Sequence, residues 1–279
     1  MVTGAKTTDD GVPGSYSYGT GTPARRDRSR VAIAVAVIGV IGLLAGVAGV
    51  VVRLLPRHFS AAQRQAITAW EMGNRWRQLS GGQIFPSTVS YTPPAAINDI
   101  GGDLSLTARR IGIARQASCS SASSPVATDS AAATVLARGG CQAVLRATYT
   151  DDTGSYVVTV GVAVFPSTAK AASARQQLDS SALSLGKGRT PGVSTVSFAG
   201  TPAASFTDAR RQISSNVAEG PYLVMYAIGY ADSRPLVPVS ADSYTDAEMT
   251  SLGSGVAEEI ASVLGSAPAA PHCPGAPGC

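Results

Sequence analysis

Residues 142–165 read QAVLRATYTDDTGSYVVTVGVAVF, and this stretch decides the fold class. In its second half Tyr156, Val158, Val160, Val162 and Val164 alternate with smaller residues, the period of two that marks a strand with one better-buried face. Asp151, Asp152, Thr153 and Gly154 are turn formers, so Gln142–Thr150 and Ser155–Phe165 predict an antiparallel hairpin.

Working downstream, Pro166 and Ser167 open an Ala- and Gln-rich helix to about Leu183. A loop with Gly186, Lys187, Gly188 and Pro191 leads to a predicted strand over Val193–Phe198. A second hairpin pairs Ala209–Val217 with Tyr222–Ala231, turning at Glu219, Gly220 and Pro221. Thr245 and Glu248 form a capping box ahead of Met249, Leu252, Val256, Ile260 and Val263, whose spacing predicts an amphipathic helix laid on the sheet. Upstream, Leu106–Arg115 reads as a strand and Thr128–Arg138 as a helix stopped by Gly139 and Gly140. The expected domain, 106–265, is α+β, a mostly antiparallel sheet covered by helices. Residues 53–105 are expected to be a juxtamembrane helix, Ser60–Leu79, followed by an extended connector from Ile84 through Pro93 and Pro94 with prolines too frequent for regular structure. The end, 266–279, is a proline-rich tail that reads as loose.

The chain is 44% hydrophobic but only 14% charged, against about 25% charged in soluble domains. The deficit lies in residues 31–52, VAIAVAVIGVIGLLAGVAGVVV, which carry no charge and no hydroxyl between Arg30 and Arg53. At about 1.5 Å per residue this run crosses a hydrocarbon core of roughly 30 Å, so one transmembrane helix is expected ahead of the domain. Arg25, Arg26, Arg28 and Arg30 on its N-terminal side place the N-terminus inside and the domain outside. Gly46, Val47 and Ala48 could serve as a cleavage site, but the apolar run continues past them and favours an uncleaved anchor. Residues 1–30 lack apolar periodicity and are expected to be a disordered cytoplasmic tail. They carry five basic and three acidic residues, which leaves 17 basic and 15 acidic beyond the run. A near-neutral exterior without an arginine stripe disfavours a nucleic-acid partner.

Four cysteines, all beyond the apolar run, suit an oxidising compartment and permit three pairings. Cys119 follows the first strand and Cys141 precedes the second, so the preferred pairing is Cys119–Cys141, leaving Cys273–Cys279. A metal site from His272, Cys273 and Cys279 has too few ligands to be favoured, and neither metal nor cofactor is expected.

Asp152, Thr153, Gly154 and Ser155 spell the aspartic-protease tetrad, but no second copy exists to share a proton, and a hairpin turn explains them. His58 and His272 are the two histidines, one beside the apolar run and one in the tail, which leaves a serine or cysteine nucleophile without a base. Lys187 between two glycines lacks the Ser or Thr of a phosphate loop. Of Arg109–Arg110 and Arg210–Arg211, on predicted strands, one of each pair should be solvated and the other free to meet an anion. Two aromatic groups are candidate binding residues. Tyr222, Tyr226 and Tyr230 share one strand face and could stack on a sugar or peptide, although the intervening Val224 and Ile228 favour a buried face under a helix. Trp70 and Trp76 could form a docking surface or an interfacial anchor, against the alternative of packing on the domain.

The basic tail, single span, tryptophan-bearing helix, FPSTVSYTPP and RATYTDDTGSYVVTVGVAVFPSTAKAASARQQL together resemble single-pass envelope proteins of high-GC actinobacteria. More loosely, residues 142–183 are similar to the exterior sensor-type domains of mycobacterial serine/threonine kinases, which implies ligand or partner binding without catalysis. The expected function is a membrane-anchored extracytoplasmic binding or accessory protein of the cell envelope. The alternatives are an envelope hydrolase without a histidine base and a structural, oligomer-forming anchor, which the Gly and Ala of the span would permit.

Overall fold

The computed structural model describes residues 59–93, 104–119, 128–185, 190–232, 234–237 and 243–266, preceded by Ile33 and residues 36–39. The chain divides into two compact units, Met1–His58 and Phe59–Cys279. In the first, the described positions are helical. The whole tail 1–30 and the rest of the run 31–52 lie outside the described residues, as do residues 267–279. Among the described residues no helix is long and apolar enough to cross a membrane.

The second unit is an α+β fold on one antiparallel sheet. Its elements are α1 (Ala61–Gln78), a single turn α2 (Gly81–Ile84), β1 (Thr88–Tyr91), β2 (Leu106–Ile113), α3 (Ser130–Arg138), β3 (Ala143–Asp151), β4 (Tyr156–Val164), α4 (Thr168–Leu185), β5 (Ile213–Glu219), β6 (Tyr222–Tyr230) and α5 (Ser243–Gly265). The strand order is β1-β2-β3-β4-β6-β5, every neighbouring pair antiparallel. The β3–β4 turn forms for local reasons: Gly154 takes a positive φ of 70°, and the Asp151 carboxylate accepts hydrogen bonds from the Thr153 and Tyr156 amides. In the β5–β6 turn Gly220, φ 53°, supplies the positive φ of a two-residue hairpin.

Both faces of the sheet are covered. On the first, Val158, Val160, Val162 and Val164 of β4 and Tyr222, Val224, Tyr226 and Ile228 of β6 pack against Met249, Leu252, Val256, Ile260 and Leu264 of α5. Each fully buried aliphatic side chain contributes about 1.5–3 kcal/mol relative to exposure. On the second face Val144, Ala163, Phe165, Leu223 and Met225 pack against Ala132 and Leu136 of α3 and Ala171, Ala174 and Leu178 of α4. Every residue of β4 is therefore buried, the small alternate ones as fully as the valines of the face expected to be better buried.

Four sequence expectations are corrected. The supposed juxtamembrane helix and connector pack into the domain: Ile67 of the helix and Ile84, Phe85 and Val89 of the connector are buried, and β1 pairs with β2 between Pro86 and Pro93, an edge position where prolines bound the strand without breaking a ladder. Val193–Phe198 forms no strand. Apart from a bridge between Thr128 and Val193, this segment is a strap against the second face, its backbone satisfied by side chains: Ser194 O accepts from Arg146, Val196 O from Thr148, and Val196 N–H donates to Thr159. β5 begins at Ile213 because Asp208–Arg210 is a 3-10 turn, so Arg210 and Arg211 precede the strand. Finally, α5 is helical from Ser243, ahead of the position where the capping box would start it; Glu248 accepts from the Tyr156 hydroxyl, 2.9 Å, and Leu264 is buried where Val263 is half-buried.

Candidate functional site

Cys119 and Cys141 form a disulfide, Cα–Cα 5.8 Å, that closes α3 into a loop of sequence separation 22. Cys119 is buried among the second-face cluster, so the bond fastens the segment after β2 to the end of α3. Cys273 and Cys279 lie outside the described residues, as does His272. Among the described residues no three His, Cys, Asp or Glu side chains converge on a metal-sized site.

The tyrosine row belongs to the interior. Tyr222 and Tyr226 are buried beneath α5 and Tyr230 is half-buried at the strand end. The Tyr222 hydroxyl donates to Met72 O of α1 and accepts from the Trp76 amide, 3.3 Å. Tyr149 does the same kind of work toward Pro86 O, 3.1 Å, and Tyr156 toward Glu248. Each ring fills the core while its hydroxyl ties the sheet to a covering segment, the usual use of a buried tyrosine. Burial raises the pKa of Tyr91, Tyr149, Tyr156, Tyr222 and Tyr226; Glu248 adds to the rise at Tyr156 through its hydrogen bond. The Tyr230 ring lies 5.7 Å from that of Tyr156, tilted by 41°, and carries the Arg234 guanidinium 4.2 Å above it.

The two tryptophans part company. Trp70 is half-buried, its carbonyl accepting from Asn74, and it is not among the described residues that line the cleft beside Trp76. Trp76 packs on the first-face core and forms one wall of a surface cleft of about 490 Å³ with Leu79, Ile84, Phe85, Ile113 and Leu145. Arg77 lies over its ring at 4.8 Å, and its indole N–H has no partner among the described residues. Capping boxes at Ser60 and Ser80 fix the two helices that frame this cleft. Ile113 reaches it through a β-bulge: the register slips between Arg110 and Gly112, so Ile113 stands opposite Ala147 on the first face. Sequence reading missed Ile113. The signal was Gly112 inside a strand, where a Cβ would lie 2.5 Å from the Phe198 ring.

The charged candidates are mostly engaged. Arg109 pairs with Asp152 at 2.9 Å in the open, while Arg110 donates to Phe85 O. Arg211 is the less exposed partner in pairs with Asp129, 3.5 Å, and Asp208, 3.8 Å, and donates to Val193 O. Asp129 in turn caps α3 and accepts from Gly192, so this group fastens the strap. Arg146 is buried beneath the strap; burial lowers its pKa and the Asp208 carboxylate opposes that shift.

A second opening runs beside α4. One part, about 580 Å³, lies between α1 and Pro166–Ala169; another, about 570 Å³, lies between α4 and the end of β5; they meet at Thr168 and Ala169. Compared with known proteins, the chain matches no family model, no curated protein and no solved structure.

Proposed function

We propose that this chain is a membrane-anchored, extracytoplasmic and non-catalytic binding or accessory protein of the cell envelope, and that it engages a protein partner. The observation that carries the reading is the Trp76 cleft: an opening in which apolar walls are mixed with Arg77 and Gln116, with Ile113, 38% exposed, on its rim, in a domain whose other large side chains are mostly packed away. Asp152, the acidic residue of the protease-like tetrad, pairs with Arg109 at 2.9 Å in the hairpin turn. The anchor is the apolar run 31–52, and the disulfide suits an exterior compartment.

The test uses the full-length chain in its own membranes with a photo-crosslinking residue at Gln116, an exposed position lining the cleft. The expected result is one discrete protein adduct that Ile113→Asp abolishes. A diffuse or absent adduct would overturn the proposal. In intact spheroplasts, added protease should digest residues beyond 59 and spare an epitope at the N-terminus; the reverse pattern would overturn the orientation.

A further inference from the structure

The sheet has two edges, and they are guarded unequally. β1 is four residues long and bounded by Pro86 and Pro93, which denies a partner strand much length to pair with. β5, ISSNVAE, has seven residues in unbroken register with β6 and holds no proline, lysine, arginine or bulge. Thr190 N–H donates to Ser214 O at 3.1 Å, so the Ser214 carbonyl points away from β6. Alternation along an antiparallel strand then points the N–H and C=O of Asn216 and Ala218 the same way. Among the described residues no backbone group bonds them, although Asn216 is only 8% exposed, with its side-chain amide donating to Asp179 of α4 at 2.9 Å, and Ala218 is half-buried, so the accessible stretch of the edge is its Ala218–Glu219 end.

What flanks this edge defines what would pair with it. On the second-face side lies the groove of about 570 Å³, walled by Ala169, Ala172, Ser173 and Gln176 of α4 together with the Arg175–Asp179 ion pair of the same helix, and floored by Ala218 and Gly220. The small residues between the charged pair and the strand leave room for apolar side chains. On the first-face side stand two exposed carboxylates. Glu219 is in contact distance of Gly265 at the end of α5. Glu258 of α5 acts electrostatically on Tyr226, whose register partner on β5 is Ser215. The Arg75 guanidinium nearby is engaged with Val263 O at 2.8 Å.

We propose that the outer edge of β5 is a strand-addition site for an extended peptide of a partner protein, with apolar side chains toward α4 alternating with basic ones toward Glu219 and Glu258. The edge supplies main-chain hydrogen bonds and the two flanks read alternate side chains, the logic of β-augmentation. A second copy is the poorer occupant: pairing β5 with β5 would set both α5 helices on one face of the joined sheet and bring their Glu258 carboxylates together. The site deepens the binding reading above and rests on it, but lies apart from the Trp76 cleft.

The experiment uses the full-length chain in a non-ionic detergent and two labelled, end-blocked octapeptides, one alternating valine with lysine and one alternating valine with glutamate, followed by fluorescence polarisation. The lysine peptide should bind at least tenfold more tightly than the glutamate one. Ala218→Pro deletes an outward N–H and leaves the β5–β6 ladder intact, and should weaken binding at least tenfold at unchanged melting temperature. Glu219→Lys with Glu258→Lys should reverse the peptide preference, and decides the matter if the proline variant misfolds. No binding, equal binding of the two peptides, or full binding by a folded Ala218→Pro protein would each overturn the proposal. A dimer that Ala218→Pro dissolves would overturn the peptide assignment in favour of a second copy. The Gln116 adduct serves as the separate readout: its persistence without peptide binding removes this site and keeps the binding reading, and its loss with peptide binding intact does the reverse.

Discussion

The two faces of the sheet are built on different physical terms. The first is covered by α5, with Trp76 of α1 and Ile84 and Phe85 packed beside it, and its strand side chains are large: valines from β4, tyrosines and aliphatics from β6. The second carries Thr148, Thr159, Gly161 and Ala163, and there backbone comes close enough for a strap to lie against it. A Cβ at Gly161 would stand 2.6 Å from a Val193 methyl. Large side chains hold a helix at the distance helix packing requires, whereas small ones admit an extended segment whose amides then need polar side chains as partners. The first face is thus held mainly by area, and the second adds hydrogen bonds to the strap and a disulfide to its own apolar packing on α3 and α4.

That contrast can be broken in four places. Ile260→Ala, at a fully buried position under α5, should cost the most, about 3–4 kcal/mol, read as a drop in urea midpoint. Replacing Cys119 and Cys141 by alanine together should cost about 3 kcal/mol on the loop-entropy estimate. Hydrogen exchange should then quicken in α3 and the strap more than in α5. Gly161→Ala should cost about 2 kcal/mol by forcing Val193 away, with accelerated exchange confined to the second face. The smallest single-residue effect is Tyr156→Phe, about 1 kcal/mol from the lost bond to Glu248.

The same tyrosine sharpens the contrast through pH. Burial raises the pKa of Tyr91, Tyr149 and Tyr156 above the ordinary 10.0, so they stay protonated in the fold while the unfolded chain loses those protons. Stability from this source is intact below about pH 10 and falls as pH climbs above it. All three rings belong to the first face. Alkali should therefore weaken the face that reductant spares, and Tyr156→Phe should flatten the loss above pH 10 in a melting series.

The site was less legible than the fold. Trp76 stood out in the sequence, yet its cleft needs Ile113, which only a bulge turns toward it, and Phe85, from a segment that prolines made look irregular. The tyrosine row was legible as one face of a strand, and what covers it was written in the period of α5. The strap misled because Val193–Phe198 has the composition of a strand, and local composition does not say whether an extended segment finds its partners in a ladder or in side chains. The β5 edge carried no signal at all, since being an edge is a property of strand order.

By itself the sequence determined the elements whose causes are local: the 151–155 turn, the alternation of β4, the glycine stop after α3, and the pairing of Cys119 with Cys141 once their strands were placed. These depend on backbone preferences and side-chain period over a few residues. Tertiary structure decided strand order, the burial of both faces of β4, the strap, and the company Trp76 keeps. Those depend on contacts between segments far apart in the chain, whose free energy is set by shape and burial that no short window of residues contains.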